Sequence, residues 1–177
     1  MKKLEVVNEL ISDHWQIRDL LKEMRDQKLS VESKHALLKP LENWMTNHSE
    51  GERQTVDQYG KSKKALKVLA YEDEEEHSAI QEIFAKLHRH SKNPDLWNAR
   101  LHLLCELIEH HLDEEEEEFF PQLRQEIGAE ESDLLARRYR HLTASMDSFR
   151  PKPRPGLLGW LSARPEPGDL DTAKLQN

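Results

Sequence analysis

A chain of 177 residues is about one domain long, and a compact body of that size can bury a respectable core. Its 26 basic and 34 acidic residues give a formal charge of -8, which argues against a phosphate-binding surface and so against nucleic acid as partner. No apolar run approaches the ~20 residues that span a bilayer, the start lacks the apolar stretch of a signal peptide, and a lone Cys105 excludes an internal disulfide, a Cys-x-x-Cys pair and a cysteine-ligated cluster, so a soluble, cytoplasmic protein is expected.

Six glycines in the whole chain and long stretches at helical spacing predict an all-α body. The first helix is expected from about Leu4 to Arg25, with Val7, Leu10, His14, Ile17, Leu21 and Met24 on one seam. The second begins near Ser30 or Ser33 and carries Leu37, Leu41, Trp44, His48, Glu52 and Tyr59 on one face, with Pro40 tolerated near its first turns or as a kink. Gly51 inside it should weaken it by ~1 kcal/mol relative to alanine. The third runs from after Gly60 to about Leu87 and aligns Leu66, Leu69, Asp73, His77, Ile80, Phe84 and Leu87. In the fourth, Asn93 caps and Pro94 takes the first helical position, where no amide donor is needed. Trp97, Leu101, Leu104, Ile108, His111, Glu115 and Phe119 form its stripe, and a break follows near Pro121. A shorter fifth helix is expected from about Ser132, its cap, to Met146, with Leu135 and Tyr139 on its apolar side. Short polar connections make the four long helices an antiparallel up-down bundle over residues 1–149. From residue 150 to 177 the composition turns proline-rich around Leu157, Leu158, Trp160 and Leu161, a tail expected to dock on its own bundle, on a second copy in a homodimer, or on a protein partner.

Each long helix carries one histidine on its apolar seam: His14, His48, His77 and His111. A single one reads as a core histidine satisfied by a hydrogen bond. Four imidazoles converging in one bundle are costly to bury without partners, and a metal removes that cost. Glu52 follows His48, and Glu115 follows His111, at the i, i+4 spacing that puts two side chains on one face a turn apart. A carboxylate can bridge two metals, one oxygen to each, which imidazole cannot. Four imidazoles with two carboxylates therefore point to a dinuclear centre for iron, with manganese or zinc as alternatives. His110 with Glu114 is a competing pair on the fourth helix, and the continuous seam through Leu104 and Ile108 favours His111 with Glu115.

The order His14, His48 with Glu52, His77, His111 with Glu115 resembles the hemerythrin-like, or HHE cation-binding, domain family. The segment from His110 to Pro121, with paired histidines, an acidic pair and a downstream aromatic and proline, carries the most specific part of that resemblance. It implies a four-helix bundle around a non-haem di-iron site, with the four histidines as terminal ligands and Glu52 and Glu115 as bridges. The family's aromatic and proline after the first His-x-x-x-Glu are replaced here by Val56-Asp57-Gln58, and Asp73 stands where oxygen carriers of the family place a fifth histidine. With two six-coordinate metals, those ligands and one bridging oxygen fill about ten of about twelve positions and leave about two open. The implied function is binding or sensing of a small diatomic ligand, dioxygen or nitric oxide, or of redox state. The alternatives are a di-iron oxidoreductase acting on peroxide or nitric oxide, and an interaction scaffold using its tail. A ferritin-like reading needs two Glu-x-x-His pairs, and only Glu74 with His77 occurs.

The remaining features read plainly. His35, His88, His90, His102 and His141 are expected at the surface, Cys105 as a buried filler, and Trp15, Trp44 and Trp97 as packing residues. The acidic run Asp113 to Glu118 is mostly a solvated face, with only Glu115, and at most Glu114, turned inward.

Overall fold

The computed structural model describes residues 3–89 and 93–146, and among them every regular element is a helix. The elements are α1 (Val6–Met24), α2 (Val31–Arg53), α3 (Val56–Lys61), α4 (Lys67–His88), α5 (Pro94–Glu114), a π turn (Glu115–Phe119), α6 (Phe120–Glu126) and α7 (Ala129–Met146). No helix among the described residues is long and apolar enough to cross a membrane. The tail, with its expected docking patch, and His90 lie outside the described residues.

Local chemistry sets the helix starts. The Ser30 hydroxyl accepts from the Ser33 amide at the head of α2, and the Asn93 side chain accepts from the amides of Asp95 and Leu96 ahead of Pro94, so both caps satisfy donors the helix cannot. Pro40 lies inside α2 and the helix runs on past it. α2 ends earlier than its sequence pattern implies: Thr55 turns its hydroxyl back onto the Gly51 carbonyl at 2.7 Å, and Tyr59 belongs to the separate short α3. The buried face of α2 is Leu38, Leu41, Met45, His48 and Glu52, with Leu37 and Trp44 only half-buried. Trp15 is 53% exposed and does not pack in the seam. α7 starts at Ala129 rather than at Ser132, whose buried hydroxyl instead accepts from the Val6 amide at 3.0 Å.

No break occurs before Pro121. The chain widens into the π turn, where the Phe120 amide bonds the Glu115 carbonyl five residues back, and α6 then resumes with Pro121 in its first turn. Proline has no amide to offer and crowds the preceding turn. The wider turn adds a residue to the helical circuit, so Glu115, Phe119 and Phe120 can all be buried, and π turns are frequent at functional sites.

Side-chain pairs give the helix directions. Arg18 bonds Asp113 and Glu116, Arg25 bonds Glu106 and Glu109, and Arg124 bonds Glu5 and Asn8, so residue numbers run in opposite order along α1 and along α5 to α6. Gln81 with Thr46 and His88 with Glu42 give α2 and α4 the same opposed relation. α7 lies across α1 and α2. Two apolar clusters result. One joins Ile17 to Met24, Leu38 to Met45, Ile80 to Leu87 and Trp97 to Leu112; the other joins Val6, Val7 and Leu10 with Val56, Leu66, Ala70, Phe119, Phe120, Leu123 and Tyr139. Each fully buried Leu, Ile or Phe contributes ~1.5–3 kcal/mol. The four seam histidines make a polar layer: His14 and His77 lie in sequence between the parts that α1 and α4 give to the two clusters, and His48 and His111 lie near the C-terminal end of what α2 and α5 give to the first.

Candidate metal centre

That layer brings all six sequence-identified residues together. His14, His48, Glu52 and Glu115 form one group whose nearest nitrogen and oxygen atoms lie within 4.8 Å of one another; Glu52, Asp73, His77 and His111 form a second. All seven are buried, and Glu52 belongs to both groups. Nε2 of His14 lies 3.2 Å from Nε2 of His48, and Nε2 of His77 lies 2.9 Å from Nε2 of His111. Glu52 Oε2 reaches Nε2 of His48 at 3.0 Å and of His77 at 3.4 Å. Glu115 Oε2 reaches Nε2 of His14 at 3.1 Å and of His111 at 3.5 Å. Each carboxylate therefore touches both pairs, Glu115 reaching His48 Nε2 as well at 3.8 Å.

The other ring nitrogens face outward to partners that the sequence pattern did not reveal. His14 Nδ1 meets Glu116 at 2.8 Å, His111 Nδ1 meets Glu76 at 3.0 Å, and His48 Nδ1 meets the Tyr139 hydroxyl at 2.9 Å. His77 Nδ1 has Asp73 at 3.4 Å. Metal-bound histidines show this division, one nitrogen to the metal and the other to an orienting acceptor. Glu116 is itself held by Arg18. Asp73 also approaches His111 Nδ1, at 3.6 Å, so it stands beside the outer nitrogens rather than among the Nε2 atoms.

The electrostatics require compensation. Beside Glu9, which meets Arg140, and Asp13, which meets Tyr139, the buried carboxylates are Glu52, Asp57, Asp73 and Glu115, and no lysine or arginine is buried among the described residues. None of their eight oxygens has a well-formed hydrogen bond, although an unpaired buried polar group costs several kcal/mol. Burial, then the carboxylates of Glu115 and Asp73, holds Glu52 well above the usual carboxylate range. Burial, then Glu115 and Asp57, does the same to Asp73, and burial pushes Asp57 up to about 7. For Glu115, burial is outweighed by His111, His14 and His48, which hold it well below the ordinary value. Burial lowers His48 to about 4, and burial followed by His111 lowers His77 well below its usual value. Burial also works against charging His14, but Glu115 and Glu116 overcome it and raise that ring. His48 and His77, whose rings resist protonation, lie beside buried carboxylates with no buried lysine or arginine among them, and such nitrogen and oxygen donors are ones a divalent cation takes.

The competing pair on α5 is separated clearly. His111 and Glu115 are buried, whereas His110 and Glu114 are exposed and meet each other at 3.3 Å, with Glu76 beside them. Glu116, expected on the solvated face, is half-buried against His14. His35, His88, His102 and His141 are exposed as expected, His35 stacking on Trp97 at 4.0 Å. Cys105 is buried, and burial raises its thiol to about 11. Comparison with family models, with curated proteins and with solved structures finds no match.

Proposed function

We propose that this chain is a non-haem di-iron protein that binds or senses dioxygen, nitric oxide or redox state. The observation that carries this reading is the pair of shared carboxylates: Glu52 and Glu115 each lie against imidazoles of both pairs, with no well-formed hydrogen bond to their oxygens. His14, His48, His77 and His111 would supply terminal nitrogens, and Glu52 and Glu115 the bridging oxygens. Two divalent cations would balance the carboxylates of Glu52, Asp57, Asp73 and Glu115. Asp73, placed at the outer nitrogen of His77, would orient that ring.

The opposed order of contacts between α1 and α5, and between α2 and α4, supports an up-down four-helix arrangement of the hemerythrin-like kind, with α7 added across it. A reducible metal pair with about two open positions would supply the site at which a diatomic ligand is held and its redox state felt. The chain's own part is to hold the four rings with Nε2 inward, to keep bulk water out with apolar residues on either side, and to present carboxylates that would give up their protons as a cation binds.

Anaerobic loading with ferrous iron, followed by exposure to dioxygen or nitric oxide under absorption spectroscopy, tests the reading. A new band that reverses when the gas is removed is the expected result. Sustained consumption of peroxide or nitric oxide with a reductant would instead make the protein an enzyme, and a silent, iron-loaded protein would remove the sensing function.

A further inference from the structure

His48 differs from the other ligand candidates in what holds it. His14 and His111 use carboxylates that are themselves partly exposed, Glu116 and Glu76. His48 is completely buried, and its outer nitrogen meets a neutral phenol, Tyr139, contributed by α7. Tyr139 Oη has one proton, and it donates that proton to Asp13 Oδ2 at 2.7 Å. Its oxygen can then only accept from His48 Nδ1, 2.9 Å away, which places the ring proton on Nδ1 and the lone pair on Nε2, toward Glu52 and His14. Burial, followed by the charge of Asp13, holds the phenol well above its ordinary value, so it stays protonated.

The backbone is shaped for this ring. Gly51, one turn beyond His48 on α2, has no Cβ, and one built there would lie 2.5 Å from Tyr139 Cε2 and 2.8 Å from Cδ2. Those separations are far inside van der Waals contact and the obstacle is a buried ring, so no side chain fits at position 51 without displacing Tyr139. A glycine that costs the helix ~1 kcal/mol is thereby explained by the seat it makes. The ring stands nearly perpendicular to the imidazole, with centroids 6.4 Å apart.

We infer that Tyr139, seated on Gly51 and oriented by Asp13, is a positioning residue that fixes His48 in its metal-binding tautomer, so that α7, which supplies none of the six ligand candidates, sets the affinity of one of the two metal positions. This rests on the di-iron reading above. Loss of such an orienting partner typically lowers metal affinity 10–100-fold, and here the loss falls on the metal that His48 holds.

The test is an anaerobic ferrous titration against a competing chelator on the full-length parent, Tyr139→Phe and Gly51→Ala. It is paired with long-range proton–nitrogen NMR of the metal-free histidines and with thermal melting. In Tyr139→Phe, one of the two ferrous equivalents is expected to weaken at least tenfold while the other stays within about twofold, and His48 is expected to lose its single Nδ1–H tautomer. Gly51→Ala, which keeps the hydroxyl but moves the ring, should show the same selective weakening. Unchanged affinities with the Nδ1–H tautomer intact would overturn the inference. So would a loss of both equivalents in step with the melting temperature, which marks a merely structural tyrosine. A parent that takes up no second ferrous ion would fail the di-iron reading itself, a result distinct from a failure confined to the variants.

Discussion

Glu52 Oε2 lies 3.4 Å from Nε2 of His77, although the two residues sit on different helices, α2 and α4, and Glu52 also reaches His48 on its own helix at 3.0 Å. A carboxylate so placed belongs to both buried groups of candidate donors. Glu52→Ala is therefore expected to lower bound metal from two equivalents to one or fewer, measured by elemental analysis after ferrous loading and desalting. Glu52→Ala that retains two equivalents at parental affinity would show that the contact is incidental.

On α5, His111→Ala should lose metal and His110→Ala should keep it, because only the first ring faces the buried layer. The same elemental analysis on the two variants side by side decides this. The opposite pattern would mean that the exposed pair, with Glu76, is the ion-binding group.

Asp73→Asn keeps the size of the side chain and changes its charge. As an orienting group on His77 Nδ1, Asp73 should leave two equivalents bound after this change, with affinity for one of them reduced about tenfold. Complete loss of one equivalent would make Asp73 a direct ligand instead.

The metal-free protein should respond to pH through Asp57 and His48 in opposite senses. Asp57 is raised from 3.8 to about 7 by burial, so its favourable contribution is complete below the unfolded value and disappears as pH rises toward 7. His48 is lowered from 6.5 to about 4 by burial, so its contribution is complete above 6.5 and disappears as pH falls toward 4. Asp57→Asn removes the first effect alone. Its metal-free melting temperature should exceed the parent's at pH 8 and the gap should shrink toward pH 4; an equal gap at both pH values would contradict the assignment.

The buried histidine and glutamate set was legible because a seam that alternates spacings of three and four keeps its register across a polar position. His14 continues Val7 and Leu10, and His111 continues Leu104 and Ile108, so the rings had to face where the leucines face. The outer partners were not legible, for three physical reasons. Glu116 sits in an acidic run whose members rotate around the helix, and nothing local shows that Arg18 and His14 close over it. The π turn shifts the register after Glu115 and lets the helix run on through Pro121, where a proline following a helical stripe predicts a break. Tyr139 comes from α7 and meets His48 only through tertiary packing, and the sole local trace of that contact was a glycine in a helix interior. The end of α2 at Arg53 was hidden likewise, because Tyr59 on α3 is buried and so continues the apolar pattern across the gap.

The most direct measurement is anomalous diffraction at the iron edge from crystals of the full chain grown or soaked anaerobically with ferrous iron. The expected map has two peaks in the buried layer, one beside Nε2 of His14 and His48 and the other beside Nε2 of His77 and His111, with Glu52 and Glu115 reaching both. A map with no peak there, or with density only at the exposed group of Glu76, His110 and Glu114, would contradict a dinuclear centre in this protein.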